Sequence, residues 1–167
     1  MSSNFPYRLA DALAGDQTVL TAWSSIADTG FVAALADQGF DAVTLDMQHG
    51  GHHEHSVLDG SETVIRRDRH CVVRIPVGRN DFASRALDFG ADAVIAPMIN
   101  SVDAARAFAA AVKYPPVGGR SWGPSRGVGV RGIAGGNDYL HTANKNTVSF
   151  AMIETREALA VVDDILA

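Results

Sequence analysis

Short runs of apolar and β-branched residues alternate along the chain with longer segments whose apolar residues recur every three or four positions. The short runs predict buried parallel strands, and the longer segments predict amphipathic helices. The strands are predicted at residues 18–23, 42–45, 71–75, 93–98 and 147–153. Because strands and helices alternate, the sequence predicts an α/β fold with a parallel sheet.

Helix ends are marked by polar caps, glycines and prolines. Asp28 or Thr29 is predicted to cap a helix that ends at Gly39, and a proline pair at 115–116 ends a later helix. The other helices are predicted at 5–16, 56–67, 81–88, 104–112 and 138–143. Each of these segments links one predicted strand to the next or leads into the first.

The C-terminal part of the chain combines a glycine-rich segment with a final helix. Residues 118–136 are rich in glycine and poor in periodicity, which predicts a long loop of the kind that carries function. Thr155 is predicted to cap an amphipathic helix. The residues of this helix that are expected to face inward are Leu159, Val162, Ile165 and Leu166.

Two architectures fit this order of elements. The motif Gly-x-Asp-Ala-Val occurs at 39–43 and again at 90–94, each time where a helix ends and a strand begins. Strand starts near residues 18, 42, 71 and 93 have the spacing of a (β/α)₈ barrel, in which about 250 residues form eight units. A doubly wound sheet can also be built from five strands, but no Gly-x-Gly-x-x-Gly follows the first strand, which disfavours a dinucleotide-binding version.

Composition narrows the class of protein. With 167 residues, 47% hydrophobic and 20% charged, the chain is expected to form one domain over residues 1–167. A net charge of -5 with scattered Lys and Arg argues against nucleic-acid binding, and no apolar run approaches the roughly 20 residues that span a bilayer. The single cysteine, Cys71, is expected to be a small buried hydrophobe. These features favour a cytoplasmic protein without a membrane segment.

Polar residues follow the second strand directly, where parallel α/β folds carry their chemistry. Asp46, Gln48, His49 and Gly50 come after the buried run. His49 is the candidate base, because the pKa of imidazole lies closest to neutrality. Asp46 is expected to hold one ring nitrogen of His49 if the strand bends into a loop. The alternative is a histidine that only hydrogen-bonds a loop.

Five short motifs run in order along the chain. They are Leu-Asp-Met-Gln-His-Gly at 45–50, Val-Val-Arg-Ile-Pro at 72–76, Ala-Pro-Met at 96–98, Tyr-Pro-Pro-x-Gly at 114–118 and Ile-Glu-Thr at 153–155. In this order and spacing they resemble the HpcH/HpaI aldolase/citrate lyase family of metal-dependent pyruvate aldolases. The resemblance implies a (β/α)₈ TIM-barrel type of fold, of which this chain holds about the first five strands. It also implies a homo-oligomer, because family members exchange C-terminal helices.

The activity that the resemblance implies is reversible cleavage of a 4-hydroxy-2-oxo acid to pyruvate and an aldehyde. His49 matches the family base, and Arg74 matches the arginine that stabilises the developing oxyanion. A salt bridge at the rim of the sheet is the alternative for Arg74. Gln48 stands where the family commonly has a glutamate, and Met152 stands where it has a substrate-binding glutamine. Gln48 and Arg74 are therefore the predicted substrate-binding residues, and substrate preference is expected to differ from the family's.

The implied cofactor is a divalent metal, Mg²⁺ or Mn²⁺, with Co²⁺ or Zn²⁺ as alternatives. Glu154 matches one metal-binding carboxylate, although it could instead favour the helix that begins near Thr155. The family's second metal carboxylate is expected beyond Ala167. Asp88 matches an acidic residue that raises the basicity of the histidine, but its helix-end position allows this only across a subunit boundary. Solvation of the helix end is the alternative for Asp88.

Three other interpretations fit parts of the sequence. A transition-metal site at His52, His53, Glu54 and His55 is disfavoured against a solvated loop, because flanking glycines leave it flexible. The segment 118–136, with its three arginines, could cradle a phosphate or a coenzyme A thioester, or form a lid over the active site. It lacks the P-loop motif. The non-enzyme alternative is an inactive truncated fragment that keeps only the aldolase sequence.

Overall fold

A five-stranded parallel sheet forms the centre of the protein, as seen in a computed structural model that describes residues 8–15, 18–133 and 136–167. The strands are β1 (Thr21–Ser24), β2 (Ala42–Asp46), β3 (His70–Arg74), β4 (Ala93–Ala96) and β5 (Val148–Ala151). They lie side by side in chain order, and every adjacent pair is parallel. A doubly wound sheet reverses its strand order at a switch point, whereas a barrel does not. The barrel type of α/β fold is therefore confirmed, with five of its strands described.

Helices follow the strands as predicted. The helices are α1 (Leu9–Ala14), α2 (Thr29–Ala36), α3 (Glu54–Ile65), α4 (Asn80–Asp88), α5 (Val102–Val112), α6 (Ser125–Val130), α7 (Gly136–Asn146), α8 (Arg156–Ala160) and α9 (Val162–Leu166). Asp28 caps α2 through its side chain, which accepts a hydrogen bond from the amide of Phe31. Part of the predicted helix at 5–16 lies outside the described residues. No described helix is both long enough and apolar enough to cross a membrane.

The predicted long loop at 118–136 is wrong in its middle part, because residues Ser125–Val130 form α6. Gly127 of α6 packs directly on Gly90, and a Cβ on Gly127 would lie 2.9 Å from the Cα of Gly90. Glycine at this position therefore permits close packing of a helix and does not indicate an open loop. Sequence periodicity missed α6 because it is short and contains two glycines.

The predicted final helix is divided into α8 and α9 at Val161. Leu159 and Leu166 are 64% and 77% exposed, so the prediction that they face inward is wrong. The break at Val161 changes the helical phase. Ala158 is buried, and Ile165 packs against the hydrophobic core, which agrees with its predicted inward position. Thr155 caps α8 as predicted, since its side chain accepts from the amide of Ala158.

The sheet carries apolar clusters on both faces, because successive side chains of a strand point to opposite sides. The outer face packs against the helices through Val43, Leu45, Cys71, Val73, Val94 and Ala96. The inner face carries a smaller cluster, formed by Leu9, Ala42, Val72 and Ala93. A mostly apolar cavity of about 400 Å³ lies on this inner face, bordered by Trp23, Ile95 and Phe150 among others. β1 and β5 form the two edges of the sheet.

Candidate active site

Three side chains meet at the carboxyl end of β1 to β3, and we call Trp23, Asp46 and Arg74 the rim cluster. Asp46 and Arg74 are register partners on neighbouring strands. Arg74 donates from Nε to Asp46 Oδ1 at 2.9 Å and from Nη2 to Asp46 Oδ2 at 2.5 Å. Trp23 donates from Nε1 to Oδ2 at 3.2 Å, and its ring centre lies 4.8 Å from the guanidinium carbon of Arg74. Arg74 and Trp23 therefore hold the Asp46 carboxylate in one orientation.

Charge in the rim cluster is buried but compensated. Asp46 is 2% exposed and the Arg74 side chain 12% exposed. Burial by itself would raise the pKa of Asp46, but hydrogen bonds from Arg74, Trp23 and the amides of Gln48 and His49 hold the pKa well below its usual range. Asp46 therefore remains a carboxylate. The Nη1 group of Arg74 makes no hydrogen bond with a described residue, which leaves its two N–H donors for a ligand.

The expectation that Asp46 holds a ring nitrogen of His49 is wrong. Its carboxylate is occupied by Arg74 and Trp23 and by two main-chain amides. His49 contributes only its amide, which donates to Asp46 Oδ1 at 3.3 Å. The residue is exposed, in the turn after β2. Asp46 thus orients Arg74 and the turn, and it does not act on the imidazole directly.

The turn that carries His49 is packed tightly against β1. The amide of Gly51 donates to the carbonyl of Ser25 at 2.8 Å. A Cβ on Gly50 would lie 2.5 Å from the carbonyl oxygen of Asp46 and 2.9 Å from the Cα of Ser25. Glycine is therefore required at position 50 by close approach of the backbone. Gln48 lies in the same turn, and its buried Oε1 has no hydrogen-bond partner among the described residues.

The expectation of a solvated loop at His52, His53 and His55 is only partly correct. His55 is exposed, and its ring lies 3.6 Å from Asp59. His52, however, is only 5% exposed and contacts serine hydroxyls with both ring nitrogens. Sequence reasoning missed His52. A signal was present, since His52 and Ser56 are four residues apart at the start of a helix, where side chains satisfy free backbone groups.

Glu154 lies three residues after β5, at the same edge of the sheet as the rim cluster. Its Oε2 accepts a hydrogen bond from the amide of Met98 at 2.8 Å. Met98 follows β4 and has a φ of +55°, a conformation that residues with a side chain adopt at a cost. The N-terminus of α8 is capped by Thr155, and no hydrogen bond joins the Glu154 side chain to that helix in the described chain. The alternative that Glu154 only supports α8 is therefore not favoured by its contacts.

Glu154 fits a hard divalent ion as one oxygen ligand. Its carboxylate is exposed, held in place by Met98, and makes no ion pair with a described residue. Within the described ranges, no group of three His, Cys, Asp or Glu side chains is placed to share one ion. A magnesium-type site often takes one or two carboxylates and fills its other positions with substrate and water oxygens. The structure therefore offers one such carboxylate at this edge.

Asp88 lies at the opposite end of the sheet from His49. It is the last residue of α4 and forms an ion pair of 2.6 Å with Arg120. The Arg120 side chain is fully buried, and its guanidinium lies 4.5 Å from the ring centre of Tyr114. Within one chain, Asp88 therefore anchors the segment after Tyr114 and does not reach His49. Its predicted effect on the histidine still requires a second chain.

The other arginines of segment 118–136 are also paired. Arg126 forms an ion pair with Glu62 of α3. Arg131 donates to the carbonyl of Gly90 at 2.6 Å and pairs with Asp92 at 2.8 Å, beside the amino end of β4. Each of the three arginines is bound to a protein acceptor, but Nε and Nη1 of the buried Arg120 have no hydrogen-bond partner among the described residues. The suggestion that this segment cradles a phosphate or a coenzyme A thioester therefore stays a prediction. A lid over the carboxyl end of this chain's own sheet is wrong, because residues 118–133 are bound to Asp88, Gly90 and Asp92 at the amino end.

Comparison with known proteins agrees with this geometry. The sequence model of the HpcH/HpaI aldolase/citrate lyase family matches residues 20–167. A hydroxypyruvate/pyruvate aldolase of Rhizorhabdus wittichii is 37% identical over 148 residues, which cover 89% of this chain and 57% of that protein. A 4-hydroxy-2-oxovalerate aldolase of Rhodococcus jostii is 32% identical over 163 residues, covering 92% of this chain and 61% of that protein.

A solved structure shows the same fold. The crystal structure of an HpcH/HpaI aldolase from Desulfitobacterium hafniense superposes with a TM-score of 0.85 at 24% identity, over 95% of this chain and 61% of that one. At this identity the likeness concerns the fold alone. The chain thus spans about 57% to 61% of the length of the relatives described here.

Proposed function

This chain belongs to the HpcH/HpaI aldolase/citrate lyase family, and we propose that it acts as an aldolase-type lyase that cleaves a 4-hydroxy-2-oxo acid to pyruvate and an aldehyde. The observation that carries this proposal is the rim cluster. It presents a fixed, permanently charged guanidinium at the carboxyl end of the sheet, next to the turn that carries His49. The two relatives described above are named hydroxypyruvate/pyruvate aldolase and 4-hydroxy-2-oxovalerate aldolase.

The proposed reaction begins with proton removal. His49 accepts the proton of the C4 hydroxyl, which its exposed position in the turn after β2 allows. The C3–C4 bond then breaks, the aldehyde leaves, and the electron pair of that bond becomes the enolate of pyruvate. The proton that His49 accepted is then returned to C3, which gives pyruvate and restores the base.

Arg74 stabilises the negative charge that develops on the 2-oxo oxygen. Two of its nitrogens are bound to Asp46, so the guanidinium does not need to reorient when charge appears. The two N–H donors of Nη1 are directed by the same pairing. Gln48 is the proposed second substrate contact, because its buried Oε1 has no hydrogen-bond partner in the described part of the chain.

A divalent metal, Mg²⁺ or Mn²⁺, is the proposed cofactor, and Glu154 is the residue of this chain that would hold it. When bound, such an ion supplies Lewis acidity toward the carboxylate and ketone oxygens of the 2-oxo acid. The amide of Met98 keeps the Glu154 carboxylate in one orientation for this purpose. Oxygen ligands are those that Mg²⁺ and Mn²⁺ prefer.

A homo-oligomer is proposed as the working form. Asp88 can influence His49 only from a second chain, because the two residues lie at opposite ends of the sheet. Asp88 Oδ1 is bound to Arg120, so any contact with a neighbouring imidazole would involve its other oxygen. Sedimentation equilibrium of the purified chain tests the assembly, and a monomer at working concentration would remove this role of Asp88.

The experiment is pyruvate release from 4-hydroxy-2-oxo acids by the 167-residue chain, with Mg²⁺ or Mn²⁺ and then with excess chelator. We expect metal-dependent release that His49→Gln lowers by about 10²- to 10⁴-fold, the usual effect of removing a general base. Glu154→Gln should weaken Mn²⁺ binding in a titration while its amide oxygen still accepts from Met98. His55→Gln is the matched control, since His55 is exposed and lies outside the turn.

Two results would contradict the proposal. Release that is unchanged by the chelator would remove the metal from the mechanism. Absence of release with either ion and every 4-hydroxy-2-oxo acid tested would show that the described residues do not form an active aldolase, as expected for a fragment that keeps only the fold.

A further inference from the structure

His52 connects two elements behind the turn that carries His49. Its Nε2 lies 2.9 Å from the hydroxyl of Ser24, the last residue of β1. Its Nδ1 lies 3.1 Å from the hydroxyl of Ser56, in the first turn of α3. His52 and Ser24 are 5% and 0% exposed, so the connection is shielded from water. A buried imidazole with both nitrogens bound has one preferred ring orientation.

The neighbouring acceptors indicate which nitrogen carries the proton. Ser56 donates its hydroxyl proton to the carbonyl of His53 at 2.9 Å and can therefore only accept from His52 Nδ1. Ser24 lies 3.2 Å from the carbonyl of Ile26 but only 2.9 Å from His52 Nε2. The shorter contact favours donation by Ser24 to Nε2. A neutral ring with its proton on Nδ1 satisfies this chain of donors and acceptors.

The same residue is tied to the turn through its main chain. The amide of His52 donates to the carbonyl of Asp46 at 3.3 Å, which closes the turn around His49. Gly51 next to it donates to the carbonyl of Ser25. Besides the Asp46 carboxylate, which accepts from the amides of Gln48 and His49, the side chain of His52 and the main-chain contacts beside it therefore set the position of the turn relative to β1.

We propose that His52 is a positioning residue that holds the His49 turn in register with the end of β1 through its contacts with Ser24 and Ser56. This inference rests on the proposed function, in which His49 is the base. His52 does not touch substrate, and its effect is exerted through the turn.

The electrostatic surroundings agree with a neutral ring. Burial lowers the pKa of His52, and His53 lowers it further, whereas Asp46 acts in the opposite direction. A neutral imidazole can accept from one serine and donate to the other, but a protonated ring would force Ser24 to turn its proton away.

The test combines kinetics with nuclear magnetic resonance of the 167-residue chain. In a long-range ¹H–¹⁵N spectrum, we expect the His52 ring to show the tautomer with the proton on Nδ1. His52→Leu and Ser24→Ala should lower kcat for pyruvate release by about 10- to 100-fold, as expected when a base is displaced by a fraction of an ångström to an ångström. KM should change little. His52→Gln should recover part of kcat, because its amide oxygen can accept from Ser24.

His55→Leu is the matched control, because it removes an exposed histidine three residues away and should leave kcat and the His49 ring signals unchanged. His52→Leu should shift the His49 ring signals even in a chain without turnover, so this readout is independent of the proposed function. The inference is overturned if those signals do not move in the folded variant, or if the His52 ring carries its proton on Nε2. Loss of kcat that His52→Gln does not relieve would also overturn it.

Discussion

Replacing Asp46 with asparagine removes the charge from the rim cluster and leaves its shape almost unchanged. Oδ1 of Asp46 accepts from Arg74 Nε and from two main-chain amides, while Oδ2 accepts from Arg74 Nη2 and from Trp23. An amide group keeps one of these oxygens and turns the other into a donor. In Asp46→Asn, at least two donors therefore lose their acceptor and face another donor.

The loss of unfolding free energy in Asp46→Asn follows from the burial of the Asp46–Arg74 pair. Removing one partner of a buried ion pair costs about 3–5 kcal/mol, because the remaining charge is left without compensation. The Arg74 side chain is 12% exposed, so some hydration is recovered and we expect the lower end, about 3 kcal/mol at pH 7. With a slope of about 2 kcal/mol per molar urea, the unfolding midpoint should fall by about 1.5 M.

Asp81→Asn is the matched control. Arg79 donates to Asp81 through the same two nitrogens, at 2.8 and 2.7 Å, but the side chains are 51% and 65% exposed. Solvent screens an exposed pair, so this variant should unfold close to the wild type. Urea unfolding followed by circular dichroism measures both variants. Equal midpoints for Asp46→Asn and Asp81→Asn would refute the argument that burial makes the rim pair important.

The difference in unfolding free energy between wild type and Asp46→Asn should depend on pH in a defined direction. The pKa of Asp46 is lower in the folded than in the unfolded state, so its contribution is complete above the unfolded pKa of about 3.9. It is lost as the pH falls toward the folded pKa. The gap between wild type and Asp46→Asn should therefore be full at pH 7 and pH 5 and shrink below about pH 4. A gap that already closes between pH 7 and pH 5 would contradict this assignment.

Three further predictions concern backbone packing and the buried histidine. Gly50→Ala should lower both the urea midpoint and pyruvate release, since its Cβ would lie 2.5 Å from a main-chain oxygen, whereas Gly129→Ala, with no atom within 4 Å, should be neutral or slightly stabilising. Gly90→Ala should destabilise the fold more than Gly39→Ala. Both glycines have positive φ, but only at Gly90 would a Cβ lie within 3.0 Å of a neighbour. Equal urea midpoints for the two variants would contradict this. Because burial lowers the pKa of His52, the unfolded chain binds more protons below about pH 6.5, and stability should fall from pH 7 to pH 5.5 less steeply in His52→Gln than in wild type.

Local pattern was sufficient to predict the strands and the residues at their ends. The β-branched run before Asp46 and the apolar run before Arg74 are β2 and β3, and the predicted site residues His49 and Glu154 lie at the same edge of the sheet. This prediction is possible because burial selects apolar residues along a strand, and the chain must become polar where the strand reaches the surface.

Side-chain partners were not predictable in the same way. The sequence placed Asp46 next to His49 because they are three residues apart, whereas register brings Arg74, 28 residues away, to the same level of the sheet. His52 was expected in solvent because its neighbours are glycine and histidine. Its burial depends on Ser24, which lies 28 residues earlier in β1.

By itself, the sequence determined the order of strands and helices, the edge of the sheet that carries polar residues, and the motifs that resemble the family. The tertiary structure decided that Asp46 binds Arg74, that His52 contacts Ser24 and Ser56, and that residues 118–133 lie at the opposite end of the sheet. The physical reason is the range of the interactions. Periodicity and capping act within a few residues, whereas the partner of a buried charge or imidazole is set by strand register and packing between distant segments.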